Sequence, residues 1–222
     1  MIRNINEHEK KILSQRGQDG IIEAIFNAIG TTNKFFVEFG IHQHEGNTLH
    51  LKRTRGWDGL WMDGGGDGKA IKKEFITRDN INELLEKYNV PDSFDLLSID
   101  IDGNDYYVWE VIKKNPRVLD IEYNSHISPN ESKSIEYDPN FIWKGDDYYG
   151  VSLLALVKLG IKKGYTLIGC DSTGTDSFFV RNDLIKDNFL VREVEELFRP
   201  PTFRGYHGQI GHPKSNRIMI NI

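Results

Sequence analysis

Apolar residues recur at Ile21, Ile22, Ile25, Phe26 and Ile29, the spacing of one buried helical stripe, and Gly30 follows as a C-cap. The pattern then changes to short runs of strand length at Phe35–Phe39 and Gly59–Asp63, with Phe75-Ile76 as a weaker third strand. Ile81, Leu84 and Leu85 mark a helix within 79–88, and Phe94–Asp100 reads as the fourth strand. A helix over 106–114 must stop before Pro116, and 117–123 is the fifth strand. The segment 125–148 is polar, carries Pro129 and Pro139, and is long enough to be a lid or binding connection. A strong helix covers 151–163, and the strands 165–170 and 177–181 are joined by the turn-rich Asp171–Asp176. Alternating strands and helices that end in a hairpin predict one α/β domain over 1–222 with a mostly parallel sheet.

The strands end in polar residues, and this is where the chemistry is expected. The apolar run Leu96–Ile101 finishes in Asp100, Asp102, Asn104 and Asp105. In open α/β sheets, ligands bind at the carboxyl ends of the strands. Asn104 and Asp105 are ordinary turn or helix-cap residues, whereas Asp100 and Asp102, alternating at a strand end, point to a functional site. The first strand ends in Glu38 and Gly40, followed by His42, His44, Gly46 and Asn47. Asp63 ends the second strand 23 residues after Gly40, close to the spacing of about 20 expected for an acid that binds ribose hydroxyls. The turn is not Gly-x-Gly-x-x-Gly, which argues against a dinucleotide dehydrogenase, and no phosphate loop of the Gly-Lys-Ser/Thr type occurs.

Composition narrows the picture slightly. With 38% hydrophobic and 27% charged residues in 222, the chain has the make-up of a globular protein. No apolar run approaches the roughly 20 residues of a membrane span, and the N-terminus lacks a secretory pattern. The lone Cys170 excludes an internal disulfide and fits a cytoplasmic location; its neighbours suggest a buried thiol. The net charge of −5 argues against nucleic acid as a partner. Its distribution is uneven: the 197–222 tail has Arg199, Arg204, Lys214 and Arg217 and no acid, leaving −9 on the remainder. Such a tail suits either a solvated surface or an anionic substrate group. His8, His50, His207 and His212 have no motif around them and are expected in loops or at the surface.

The sequence resembles the FkbM-type S-adenosylmethionine-dependent methyltransferases over roughly 14–184. The resemblance runs through Ser14-Gln-Arg-Gly-Gln-Asp19, Phe36-Val-Glu-Phe-Gly40, Gly46-Asn-Thr48, Gly56-Trp-Asp-Gly-Leu-Trp61 and Phe94–Asp105, then Ile121-Glu-Tyr-Asn124 and Gly164-Tyr to Phe178–Arg181. It implies a class I methyltransferase Rossmann-like fold, with a seven-stranded sheet whose last strand is antiparallel. It further implies that Glu38, Gly40, Asn47, Thr48, Asp63, Asp79 and Asp100 line the cofactor site. Methyl transfer to a hydroxyl needs a base and often a metal. Asp100, Asp102 and Glu122, with His126 or His42 nearby, are the candidate catalytic set. The three carboxylates would also form an oxygen-rich site for Mg²⁺ or Mn²⁺. Asn124, Trp143, Tyr149, Arg199 and Arg204 are the candidate acceptor contacts, and Phe141 and Tyr148 extend the aromatic wall. The expected acceptor is a hydroxyl of a sugar, or of a nucleotide-linked or phosphorylated saccharide, with a homo-oligomer left open. Two alternatives stand beside this reading: a nucleotide-sugar glycosyltransferase using Asp100-x-Asp102, and a non-catalytic S-adenosylmethionine-binding protein.

Overall fold

The computed structural model describes residues 1–205 and 208–222, so His207 lies outside the described residues. In chain order its elements are α1 (Gln18–Ile29), β1 (Phe35–Phe39), α2 (Leu49–Thr54), β2 (Asp58–Asp63), β3 (Ile71–Lys73), α3 (Ile81–Lys87), β4 (Ser93–Ile99), α4 (Asp105–Val111) and β5 (Asn115–Glu122). The second half has β6 (Lys133–Ser134), α5 (Leu153–Lys163), β7 (Tyr165–Cys170), β8 (Asp176–Arg181), α6 (Val194–Leu197) and β9 (Ile220–Asn221).

Seven strands form one sheet in the order β3-β2-β1-β4-β5-β8-β7, and β6 pairs with β9 beside it. All neighbours from β3 to β5 are parallel, whereas β8 is antiparallel to both β5 and β7. The fold is therefore α/β with a mostly parallel seven-stranded sheet, and its antiparallel strand is inserted between β5 and β7. The order reverses between β1 and β4, so the crevice expected of such a sheet opens above their carboxyl ends.

Alternation along the strands divides the core. Val37, Phe39, Leu97, Ile99, Leu119, Ile121 and Phe179 face α3, α4 and α5. Phe36, Leu96, Val118, Phe178 and Val180 face α1, whose Ile21, Ile22 and Ile25 are fully buried. The α1 stripe and its Gly30 cap are where the spacing predicts them. Ser152 caps α5 by accepting the Ala155 N–H, and Gly164 ends that helix in the left-handed region. Cys170 is buried, as expected.

Two expectations are corrected. The third strand is Ile71–Lys73, and Phe75-Ile76 lies beyond it without strand pairing. An edge strand with two lysines needs only Ile71 to face inward, so its apolar signal was nearly absent. His50 is buried rather than superficial, with Nε2 2.9 Å from Glu23 and Nδ1 3.0 Å from Thr54. The 125–148 connection is tied down at several points: β6 pairs with β9, and Asn124 Nδ2 donates to the Asp147 and Tyr149 carbonyls. Among the described residues, no helix is long and apolar enough to cross a membrane.

Candidate functional site

The face that packs on α1 changes character along its length. Phe36, Leu96 and Val118 give way to Glu38, Ser98 and Asp120, which are register neighbours. One step further lie Gly40, Asp100 and Glu122, the last paired with Asp176 of β8. Helix α1 therefore covers apolar side chains with its body and acids with its first turn, where Gln18 Nε2 donates to Asp176 Oδ2 at 2.5 Å. The positive end of a helix suits such neighbours.

The deeper acids serve as clamps. Glu38 Oε1 accepts the Asn47 N–H at 2.6 Å, while Oε2 accepts the Thr48 N–H at 3.2 Å and its hydroxyl. Trp61 Nε1 donates to the same hydroxyl at 2.8 Å. Asn47 Nδ2 donates to Asp120 at 2.7 Å. Burial raises the Glu38 carboxyl to about 7 against these hydrogen bonds, and burial with Asp171 nearby raises Asp176 to about 7. Glu38, Asn47 and Thr48 thus fix the loop after β1 from below. Gly40 (φ 79°) packs so closely on β4 that an added Cβ would lie 1.5 Å from the Asp100 carbonyl oxygen.

Above this layer the carboxylates are free. The turn after β4 is held by Asp105, which is fully buried and accepts the Ile101 and Gly103 N–H groups, each at 2.9 Å. Asn104 ties the turn to the long connection through the Asp138 carbonyl at 2.8 Å. Asn104 and Asp105 are thus turn residues, as expected. They leave Asp102, at φ 58°, projecting into the crevice. Carboxylate oxygens of Asp100, Asp102 and Glu122 lie within 4.8 Å of one another. Among the described residues none of the three has a hydrogen-bond or ion-pair partner, and Glu122 Oε2 is enclosed without one. Burial first, and then their mutual repulsion, pushes Asp100 and Glu122 well above the usual carboxylate range. Asp102 is more open, yet its recessed position and the charges of Asp105 and Asp63 raise it to about 6.

Two cavities meet at Asp100 and Asp102. A cleft of about 710 Å³ runs over Gly40, Asp63, Ile76, Asp100 and Asp102, with Phe75 and Ile142 on its walls. Both apolar side chains are largely exposed. Asp63 Oδ1 accepts the Gly65 N–H at 2.6 Å, and Oδ2 has no partner. A second chamber of about 340 Å³ is lined by Glu122, Arg16, Trp143, Phe203, Arg204 and His212 besides the two shared aspartates.

Several predicted residues are not brought here. Asp79 lies outside both linings, bonded to the Tyr137 hydroxyl at 2.6 Å; Phe75 and Ile76 take its place on the cleft wall. His126 accepts the His212 N–H on Nε2 at 3.0 Å and packs behind the chamber, where burial lowers its pKa. Asn124 is consumed by backbone carbonyls, and Tyr149 is buried behind Trp143 and His212. Arg199 donates to Glu196, Phe198 and Asn6, joining the tail to the N-terminal turn. Tyr148 stacks under Arg217. Of the acceptor candidates, Trp143 and Arg204 reach the chamber, and Phe141 joins Trp143 along the cleft.

His212 lies in a loop, as expected, yet it lines the chamber, 4.6 Å from the Trp143 ring and 4.9 Å from Phe203. Arg16 was equally hidden. No motif marks either as a site residue; only tertiary contact does. Chemically, the crevice offers a cluster of three carboxyl groups of raised pKa and a neighbouring aromatic chamber with guanidinium groups. Compared with known proteins, the sequence matches no family model and no curated protein.

Proposed function

We propose that the chain is an S-adenosylmethionine-dependent O-methyltransferase acting on a hydroxyl of a saccharide acceptor. The observation that carries this reading is the meeting of a long cleft and a smaller chamber at Asp100 and Asp102. Two substrates lodged in them would face each other across a pair of bases.

The cleft residues suit the cofactor. Gly40 admits a ligand close to backbone, Asp63 Oδ2 is free to accept from ribose hydroxyls, and Phe75, Ile76 and Ile142 offer apolar surface to a purine. When bound, the cofactor supplies an electrophilic methyl group. The acceptor hydroxyl must then lose its proton as the new C–O bond forms. Asp102 is the base best matched to that task, because a carboxylate at about 6 is ionised at neutral pH yet more basic than an ordinary one.

Asp100, Asp102 and Glu122 also fit Mg²⁺ or Mn²⁺, being hard oxygen donors without partners. Three crowded carboxylates must otherwise hold protons to relieve their repulsion. Such a cation would acidify a hydroxyl bound to it. A glycosyltransferase would use Asp100 and Asp102 but leave Asp63 and the Gly40 turn idle, so methyl transfer accounts for more of the crevice.

Asp63→Ala is expected to weaken S-adenosylhomocysteine binding by about 1–3 kcal/mol, the loss of the ribose hydrogen bonds to its carboxyl group. Isothermal calorimetry on both proteins measures it, and an unchanged affinity would remove the ribose assignment.

A further inference from the structure

We propose that the acceptor carries an oxyanion, a phosphate or a carboxylate, and that Arg16 is the residue that anchors it. This deepens the methyl-transfer reading and rests on it for the identity of the chamber as the acceptor site. The anion site itself stands on separate observations.

The segment that delivers Arg16 is rigidly held. Asp19 Oδ2 accepts the N–H groups of Ile12, Leu13 and Ser14 at 2.7–2.8 Å, and the Ser14 hydroxyl at 2.7 Å. Gln18 Oε1 accepts the Arg16 N–H at 2.8 Å, while its amide reaches across to Asp176. Gly17 and Gly20 lie so close to the 8–10 segment that an added Cβ would meet it within 2.9 Å and 2.1 Å, respectively. Every one of these bonds restrains the backbone, and none uses the guanidinium.

That guanidinium lines the smaller chamber, and its Nε–H is enclosed without a partner. Among the described residues Arg16 forms no ion pair, although three carboxylates line the same cavity. Arg16 as a whole is half-buried, but an enclosed N–H left without a partner is costly. The guanidinium's fork geometry matches phosphate or carboxylate. Two further groups converge on the chamber: Arg204 at its rim, and His212, whose enclosed Nδ1 also lacks a partner. Trp143 and Phe203 supply flat apolar walls for a sugar ring. At about 340 Å³ the chamber sits at the small end of ligand pockets, fitting one ring with a charged substituent. An acceptor gripped at Arg16 would present a hydroxyl toward Asp100 and Asp102, where the cavities meet.

The test uses the full chain labelled with [¹⁵N]arginine and [¹⁵N]tryptophan. The Nε–H resonance of Arg16, identified by its loss in Arg16→Gln, is followed while inorganic phosphate, glucose 6-phosphate, glucuronate or glucose is added. The expected result is a saturable shift with phosphate and glucose 6-phosphate or with glucuronate, and none with glucose. Which anion acts identifies a phosphorylated or a uronic acceptor. Arg16→Gln should weaken the effective anion at least tenfold, followed at the Trp143 indole resonance, with S-adenosylhomocysteine affinity unchanged. Absence of a saturable Arg16 shift with every anion overturns the site, even if Arg16→Gln fails to fold. An anion response in a chain that does not bind S-adenosylhomocysteine supports the site and removes only the methyl-transfer reading.

Discussion

Asp102→Asn is expected to lower kcat by about 100-fold or more, the contribution of a positioned general base, while S-adenosylhomocysteine binds as before. The substitution preserves shape and is tolerated by the backbone, since asparagine adopts the positive φ found at this position. The turn is held by Asp105 and stays in place. What disappears is the basic oxygen. The pH profile provides the matching signature. Asp102 titrates at about 6 and acts in its ionised form, so kcat/KM should rise as pH increases through that value and fall below it. In the asparagine variant this acidic limb should vanish from the residual activity. Adding Mg²⁺ to the parent protein should move the limb to lower pH, because a nearby cation favours the ionised carboxylate. Full turnover with the limb intact in Asp102→Asn would take Asp102 out of the chemistry.

The second large effect is on the scaffold. Gly40→Ala should destabilise the fold by about 2–5 kcal/mol, combining the left-handed backbone cost with overpacking. The obstructing atom is the Asp100 carbonyl oxygen, part of a central strand's exit, and no side-chain rotation relieves the contact. Gly164 is the control: it is left-handed at φ 83° but has nothing within 4 Å of an added Cβ. Gly164→Ala should therefore cost only the backbone term, about 1–2 kcal/mol. Urea denaturation midpoints of the two variants give the comparison. Equal losses would mean that β1 and β4 separate readily at the crevice, contrary to a rigid site.

Where the sequence was readable, a periodic signal coincided with a physical requirement. The α1 stripe was found by its helical period, and strands β1, β2, β4 and β5 because each is an apolar-rich run ended by acids or glycine, with β1, β4 and β5 buried nearly throughout. Those same strand ends carry Gly40, Asp63, Asp100, Asp102 and Glu122, so the central part of the crevice was legible too. Helix α2 escaped notice because six residues with Leu49 and Leu51 buried show no usable period. Strand β3 was misplaced because its inward surface is one isoleucine. Arg16, Phe203 and His212 were missed for a different reason. They come from opposite ends of the chain and meet only through folding, so no local spacing marks them. Asn124 and His126 illustrate the converse error: polar residues next to a site acid, yet consumed by the backbone of the connection they hold.

The central claim is most directly tested by titrating the purified chain with S-adenosylhomocysteine in a calorimeter, with and without Mg²⁺. Micromolar, one-to-one binding that Asp63→Ala weakens is the result this account predicts. No heat of binding in either condition, with a nucleotide-diphosphate sugar binding instead in the presence of Mg²⁺, would contradict it and assign Asp100 and Asp102 to glycosyl transfer.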